Sequence, residues 1–345
     1  MIGKPGAAAS AADPSRSGTI GPPDPERSGQ RGAGMTTTPF SVIQGGIREE
    51  GRWSAELRHP ASLREAEIAA WRALLPRALS PGFAGDPDFV LTLAQHLAEG
   101  RRLALLLVWQ HGDGMPVLRG VLPLQLPAGL RPGRTAQLWV LPLAEGAAPV
   151  VDARETAAIL RAALDHLAGA GSRVGTLRLP GLLPAGRLIA ALREVAAASG
   201  RPLTVASRPA PGPAAEPLPT LPRGRTSLER VRAPRQLRDA VEHFLVLEGA
   251  RPGPNLLHDA DAATALRVVT RRFAQRRACG VDLVRRDGAV VAAAIRLGPA
   301  GQDRIWREAG CALAPARERP GVMLLDAAVS VAPARRAADG ERRSA

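Results

Sequence analysis

Between Val281 and Leu297 the chain carries two short apolar runs, VDLV and AVVAAAIRL, separated by Arg285-Arg286-Asp287-Gly288. Asp-Gly between strand-like runs is a strong local sign of a β-hairpin, because a type I′ turn needs positive φ at both central residues. The spacing predicts strands over Val281–Val284 and Ala289–Leu297. A third, Arg304–Ala309, follows the Gly298-Pro299-Ala300-Gly301 turn. The next apolar run, ERPGVMLLDAAV, holds Pro320 where helices often begin. The meander is therefore expected to run into a helix.

Upstream, Pro234 opens a helix whose inner face is Leu237, Val241, Phe244, Leu245 and Glu248. A loop around Pro252-Gly253-Pro254 leads to a second helix from Asp261, with Leu266, Val269 and Phe273 inward. The same order is found nearer the start. Ser62-Leu63-Arg64-Glu65 reads as a capping box before Ile68, Trp71, Leu75 and Ala78 at helical spacing. Asp86-Pro87 opens a second helix with Phe89, Val90, Leu93 and Leu97 on one face. Leu103–Trp109 is a buried strand, His111-Gly112-Asp113-Gly114 a turn, Val117–Leu126 its partner and Ala136–Leu141 a third strand. Asp152-Ala153-Arg154-Glu155 then caps a helix, Val174–Leu179 is a strand, Ala185–Ala198 a helix and Leu203–Ala206 a strand. Asp113-Gly114 and Asp287-Gly288 hold matching places, so the chain reads as a repeat of pattern.

This divides the chain into a Gly/Pro/Ser/Ala-rich segment over 1–45 expected to be disordered, a first unit over 50–207, a Pro-rich linker over 208–224, a second unit over 225–330 and a polar tail over 331–345.

Composition excludes more than it assigns. The net charge of +14 comes almost wholly from arginine, with Lys4 the single lysine. Nucleic-acid binding would cluster those arginines beside stacking aromatics. Aromatics here are only 3% and the arginines are scattered, so no nucleic-acid partner is expected. No apolar run reaches the ~18 residues of a membrane span. The two cysteines, Cys279 and Cys311, form no framework and the six histidines no ligand spacing, so no metal site is expected. With no apolar leader at the N-terminus, the expected setting is cytoplasmic. P-loop, dinucleotide-fingerprint, zincin and nucleophile-elbow motifs are absent.

Four stretches, WRALLPRALSPGFAGDPDFV, VEHFLVLEGA, VDLVRRDGAVVAAAIRLG and RIWREAGCALAPARERPGVMLLD, carry a likeness between Trp53 and Val329. In them the chain resembles the double-GNAT acyltransferases of the CelD/BcsL type, which are associated with cellulose and exopolysaccharide biosynthesis. The resemblance implies an α/β fold of two tandem GNAT-like units, with mixed, mostly antiparallel sheets flanked by helices. It implies N- or O-acyl transfer from acetyl-CoA or another acyl-CoA to a polysaccharide, amino-sugar or amine acceptor. Glu248 stands where the family carries a glutamate and is the implied catalytic base. Arg317, Arg319, Gly321 and Val322 surround the expected helix start and are the implied diphosphate site. Trp306 is the implied substrate contact, with a place in the core as the alternative for so large an apolar ring. The family's Trp and Lys after Glu248 are missing, as are its Tyr, Asp and Ser after Trp306. Those losses carry the alternative, a catalytically inactive scaffold with a protein partner in exopolysaccharide assembly.

Overall fold

The computed structural model describes residues 52–127, 133–141, 143–144, 149–169, 174–209, 225–251, 255–311 and 323–332. The expected disordered start and most of the Pro-rich linker and polar tail lie outside them. The first half opens with β1 (Trp53–Arg58), α1 (Glu65–Leu74) and α2 (Pro87–His96). It continues through β2 (Leu103–Gln110), β3 (Val117–Gln125), β4 (Arg134–Leu138), the two-residue β5 (Val150–Val151) and α3 (Thr156–Ala168). It closes with β6 (Val174–Leu182), α4 (Arg187–Ala198) and β7 (Leu203–Pro209). The second half runs β8 (Thr226–Val231), α5 (Pro234–Gly249), α6 (Ala260–Gln275), β9 (Cys279–Arg286), β10 (Ala289–Leu297) and β11 (Arg304–Gly310), and β12 (Met323–Ser330) follows.

The repeat is visible in the hydrogen-bond ladders. β1-β2-β3-β4 and β8-β9-β10-β11 are adjacent in the same order, and each neighbouring pair is antiparallel. Each half thus begins strand–helix–helix–strand–strand–strand. The opening strands β1 and β8 have no counterpart in the sequence reading. Both lie at a sheet edge, and β8 is exposed from Thr226 to Arg230, so neither shows the apolar period that betrays a buried strand. The molecule is a mixed α/β fold with mostly antiparallel sheets flanked by helices.

Three local readings are corrected. The first cap falls on Arg64, whose N–H donates to Glu67 Oε2 at 2.7 Å, rather than on Ser62 and Glu65. The Asp113-Gly114 connection is an open loop, whereas Asp287 (φ 49°) and Gly288 (φ 85°) form the positive-φ turn expected of Asp-Gly. The run after Pro320 is a strand: from Met323 the chain is β12, between β6 and β7 in the first sheet. Short apolar runs do not separate helix from strand by period alone. What decides here is an available slot, since β6 and β7 each need a ladder partner and do not pair with each other. β12 thus lies within 225–330 in sequence and in the first sheet in space.

Packing follows from these ladders. β2 is buried on both faces, and so reads as an unbroken apolar run. Leu103, Leu105 and Leu107 share a core with Trp71, Phe89 and Leu93 of the first half and with Phe244, Leu266, Phe273 and Ile295 of the second. Leu106 and Val108 face the other way, into a core with α3, α4 and the β12 residues Leu325, Ala327 and Val329. The halves are pinned where α6 meets α2: Arg276 lies 2.9 Å from both Asp86 and Asp88. Asp86 also caps α2, accepting the Asp88 N–H at 2.9 Å, as Asp86-Pro87 led one to expect.

If β12 is core to the first sheet, Val329→Ala, at a fully buried position, destabilises by about 2 kcal/mol. Thr204→Ala, exposed on neighbouring β7, changes stability by less than about 0.5 kcal/mol. Chemical denaturation of the full chain measures both; equal effects would remove β12 from the core.

Candidate functional site

The inward face of α5 ends in a carboxylate. Glu248 follows Leu237, Val241, Phe244 and Leu245 on the buried side, and only 9% of it is exposed. Arg251, one turn on, donates from Nη1 to Glu248 Oε2 at 3.4 Å. Glu248 opens into a cleft of about 280 Å³ shared by both halves. Leu97, Glu99 and Leu143 come from the first half, and Asn255, Leu256, Asp259, Ala262 and Arg307 from the second.

Two of those polar groups have structural duties. Asn255 Oδ1 accepts the N–H groups of Leu257 (3.1 Å) and His258 (3.3 Å), fixing the turn before α6. Asp259 Oδ1 caps α6 by accepting the Ala262 N–H at 3.0 Å. Glu248 closes the end of α5 with its carbonyl, which accepts the Arg251 N–H at 3.2 Å, while its carboxylate is turned to the cleft and to the Arg251 guanidinium. It stands at a helix end on a rigid scaffold, which suits a group that must meet a ligand.

Trp306 does not line the cleft. Its indole N–H donates to the Leu143 carbonyl at 2.6 Å, and its ring lies 5.3 Å from Phe89 and 6.4 Å from Phe83, centre to centre. It supports the wall from behind, because a large ring on an inward position of β11 is drawn into the core. Arg317, Arg319, Gly321 and Val322 lie outside the described residues. The helix expected to start among them is replaced by β12, so no described helix N-terminus stands there.

A second feature was not read from sequence. β4 and β6 form the one parallel pairing among the described strands, and it is short. Its register runs Arg134↔Val174, Thr135↔Thr176, Ala136↔Leu177 and Gln137↔Arg178, and then stops. Beyond it each strand keeps its outer neighbour only. Leu138 still pairs with Leu124, and the Trp139 N–H donates to the Pro123 carbonyl. On the other side Leu182 pairs with Leu325. The strands therefore part at their C-terminal ends, and Val140 and Leu183 beyond the parting are 41% and 58% exposed. From the parting, β4 leads through Trp139 to Leu141 toward Leu143, a wall of the Glu248 cleft.

The cap expected at Asp152–Glu155 does not form: Glu155 is the N-cap of α3 and makes no side-chain cap, while Asp152 holds the turn before it. Asp152 Oδ1 accepts the Arg154 N–H at 3.0 Å, and the Asp152 carbonyl accepts the Thr156 hydroxyl at 3.1 Å. Arg119 (2.8 Å) and Arg77 (3.3 Å) pair with its carboxylate. Burial pushes the Asp152 pKa up, but the Arg154 and Arg119 hydrogen bonds and the charges of Arg119 and Arg77 outweigh it and hold the carboxyl below the usual range.

No protein-family model matches the chain, and no curated protein matches it. Among solved structures it is similar to the C-terminal domain (DUF2156) of an Agrobacterium fabrum protein described as a lysylphosphatidylglycerol synthetase. The identity there is 15%, with 72% of this chain and 70% of that one covered at a TM-score of 0.37. It is also similar to a tandem GNAT protein from the clavulanic acid biosynthesis pathway, at 17% identity, 77% and 81% coverage and a TM-score of 0.32. A GCN5-related N-acetyltransferase from Sphaerobacter thermophilus gives 14% identity, 83% and 89% coverage and a TM-score of 0.27. All three scores fall below one half, so the chemistry rests on this chain's own residues.

Asp152 gives a pH test. Its folded pKa lies below the unfolded value of about 4, so its ionised form stabilises the fold above that pH and the contribution is lost as pH falls. Asp152→Asn should cost more stability at pH 7 than at pH 3 in urea denaturation. An equal cost at both values would mean that the three arginine contacts do not hold the ionised form.

Proposed function

We propose that this chain is a GNAT-like N- or O-acyltransferase that takes an acyl group from a coenzyme A thioester. The observation that carries the reading is the parting of β4 and β6. Two parallel strands that separate after a few residues leave main-chain edges facing a slot, and an extended chain bearing amides can lie there as a short added strand. The arm of an acyl-CoA has that form. The exposed Val140 and Leu183 give the slot apolar lips.

The acceptor belongs in the neighbouring cleft. Glu248 serves as the base, removing the proton from an amine or hydroxyl as it attacks the thioester carbonyl; the carbon–sulfur bond breaks and coenzyme A thiol leaves. A cleft of about 280 Å³ suits a small molecule or one saccharide unit of a longer chain. A polysaccharide, amino-sugar or amine acceptor, and a setting in exopolysaccharide synthesis, belong to the same proposal.

A second reading has its own support. Arg251 already meets Glu248, and the polar residues that the family carries after Glu248 and Trp306 are missing. A scaffold that keeps the fold and has lost the chemistry would show both.

Thermal unfolding of the full chain with acetyl-CoA separates the two. A ligand at a hundred times its Kd stabilises the folded state by about 2.7 kcal/mol. The transferase reading predicts that rise, and predicts that Glu248→Gln keeps it while thiol release with an amine acceptor falls about a hundredfold or more. No rise with acetyl-CoA or longer acyl-CoAs would favour the scaffold.

A further inference from the structure

The parting of β4 and β6 has a local cause in β6. Leu182 pairs with Leu325 and Leu179 with Ala327, so Pro180 and Gly181 together face the single β12 residue Asp326. That is a β-bulge. Gly181 sits at φ 75°, a conformation glycine adopts without steric cost, and its N–H donates to Asp326 Oδ1 at 2.8 Å. Proline has no N–H to give. At the point where β6 would go on pairing with β4, Pro180 has no donor to give, and the bulge is tied to β12 on the other side. Gln137↔Arg178 is accordingly the last parallel pair.

We propose that Asp326 is the positioning residue of this slot: by tying the Pro180-Gly181 bulge to β12, it keeps β6 from closing on β4. The slot in the first half is then kept open by a strand the chain reaches only after building the second half. The role assigned to the slot rests on the acyl-donor reading, whereas the opening itself does not.

The test uses the full-length chain and two readouts, amide hydrogen exchange and acetyl-CoA binding. Asp326→Ala should speed exchange at Gly181 about tenfold or more and slow it about fivefold at Val140, whose amide faces β6, as the ladder extends, since each new main-chain bond adds protection. Trp139, whose N–H already donates to Pro123, should not change. Acetyl-CoA affinity should fall about tenfold. Asp326→Asn should restore both, because its amide oxygen can accept the same bond. Pro180→Val returns a donor to β6 with Asp326 in place, and should also slow exchange at Val140 and weaken acetyl-CoA. It serves as the test if Asp326→Ala does not fold. Unchanged exchange at Val140 in these variants would overturn the inference, as would wild-type acetyl-CoA affinity in both. If the unmodified chain binds no acetyl-CoA, the donor reading fails, and the exchange at Val140 alone upholds or overturns the role of Asp326.

Discussion

The structure depends on a strand that completes a sheet far behind it in sequence. β12 hydrogen-bonds to β6 on one side and β7 on the other, so neither faces a strand-wide gap. A missing strand there would leave two rows of unpaired main-chain groups, each costly to bury. Leu325, Ala327 and Val329 also fill the core under α3 and α4. The second half is therefore tied to the first both by this strand and by the shared core where α2 meets α6. Substitutions in β12 should consequently be felt in the first half, although the strand follows the second in sequence.

The same strand reaches the opening between β4 and β6. Its Asp326 meets the Pro180-Gly181 bulge, where the parallel pair opens. Among the described strands only the first half has this pair, and β11 is the edge of its own sheet. The second half supplies Glu248, on a helix that repeats the place of α1 in the first. Under the proposed function the halves have diverged from a common pattern into a donor side and an acceptor side.

Much of the fold was legible where local chemistry has one solution. Asp287-Gly288 can hardly be anything but a tight turn, Asp86-Pro87 is a helix start, and Leu237, Val241, Phe244, Leu245 and Glu248 share one helical face. The order of the helices and of the inner strands in the two halves was legible for the same reason, whereas the edge strands β1 and β8 were not. What was missed is set by partners distant in sequence. MLLDAAVS becomes a strand because β6 and β7 leave a slot between them. For Trp306 the core alternative is the one taken, because Phe83, Phe89 and Leu143 surround it. The slot between β4 and β6 had one sequence signal, Pro180-Gly181 inside an apolar run, and a Pro-Gly pair in a strand does mark a bulge or an edge. Its partner Asp326 lies 145 residues away, beyond any local pattern.

A crystal structure of the full chain grown with coenzyme A tests the account most directly. The account predicts the extended arm between residues 138–141 and 179–182, with its thiol end toward the cleft at Glu248. Coenzyme A bound in the second half, or a β4–β6 ladder continuing past Gln137 and Arg178 in its presence, would contradict it.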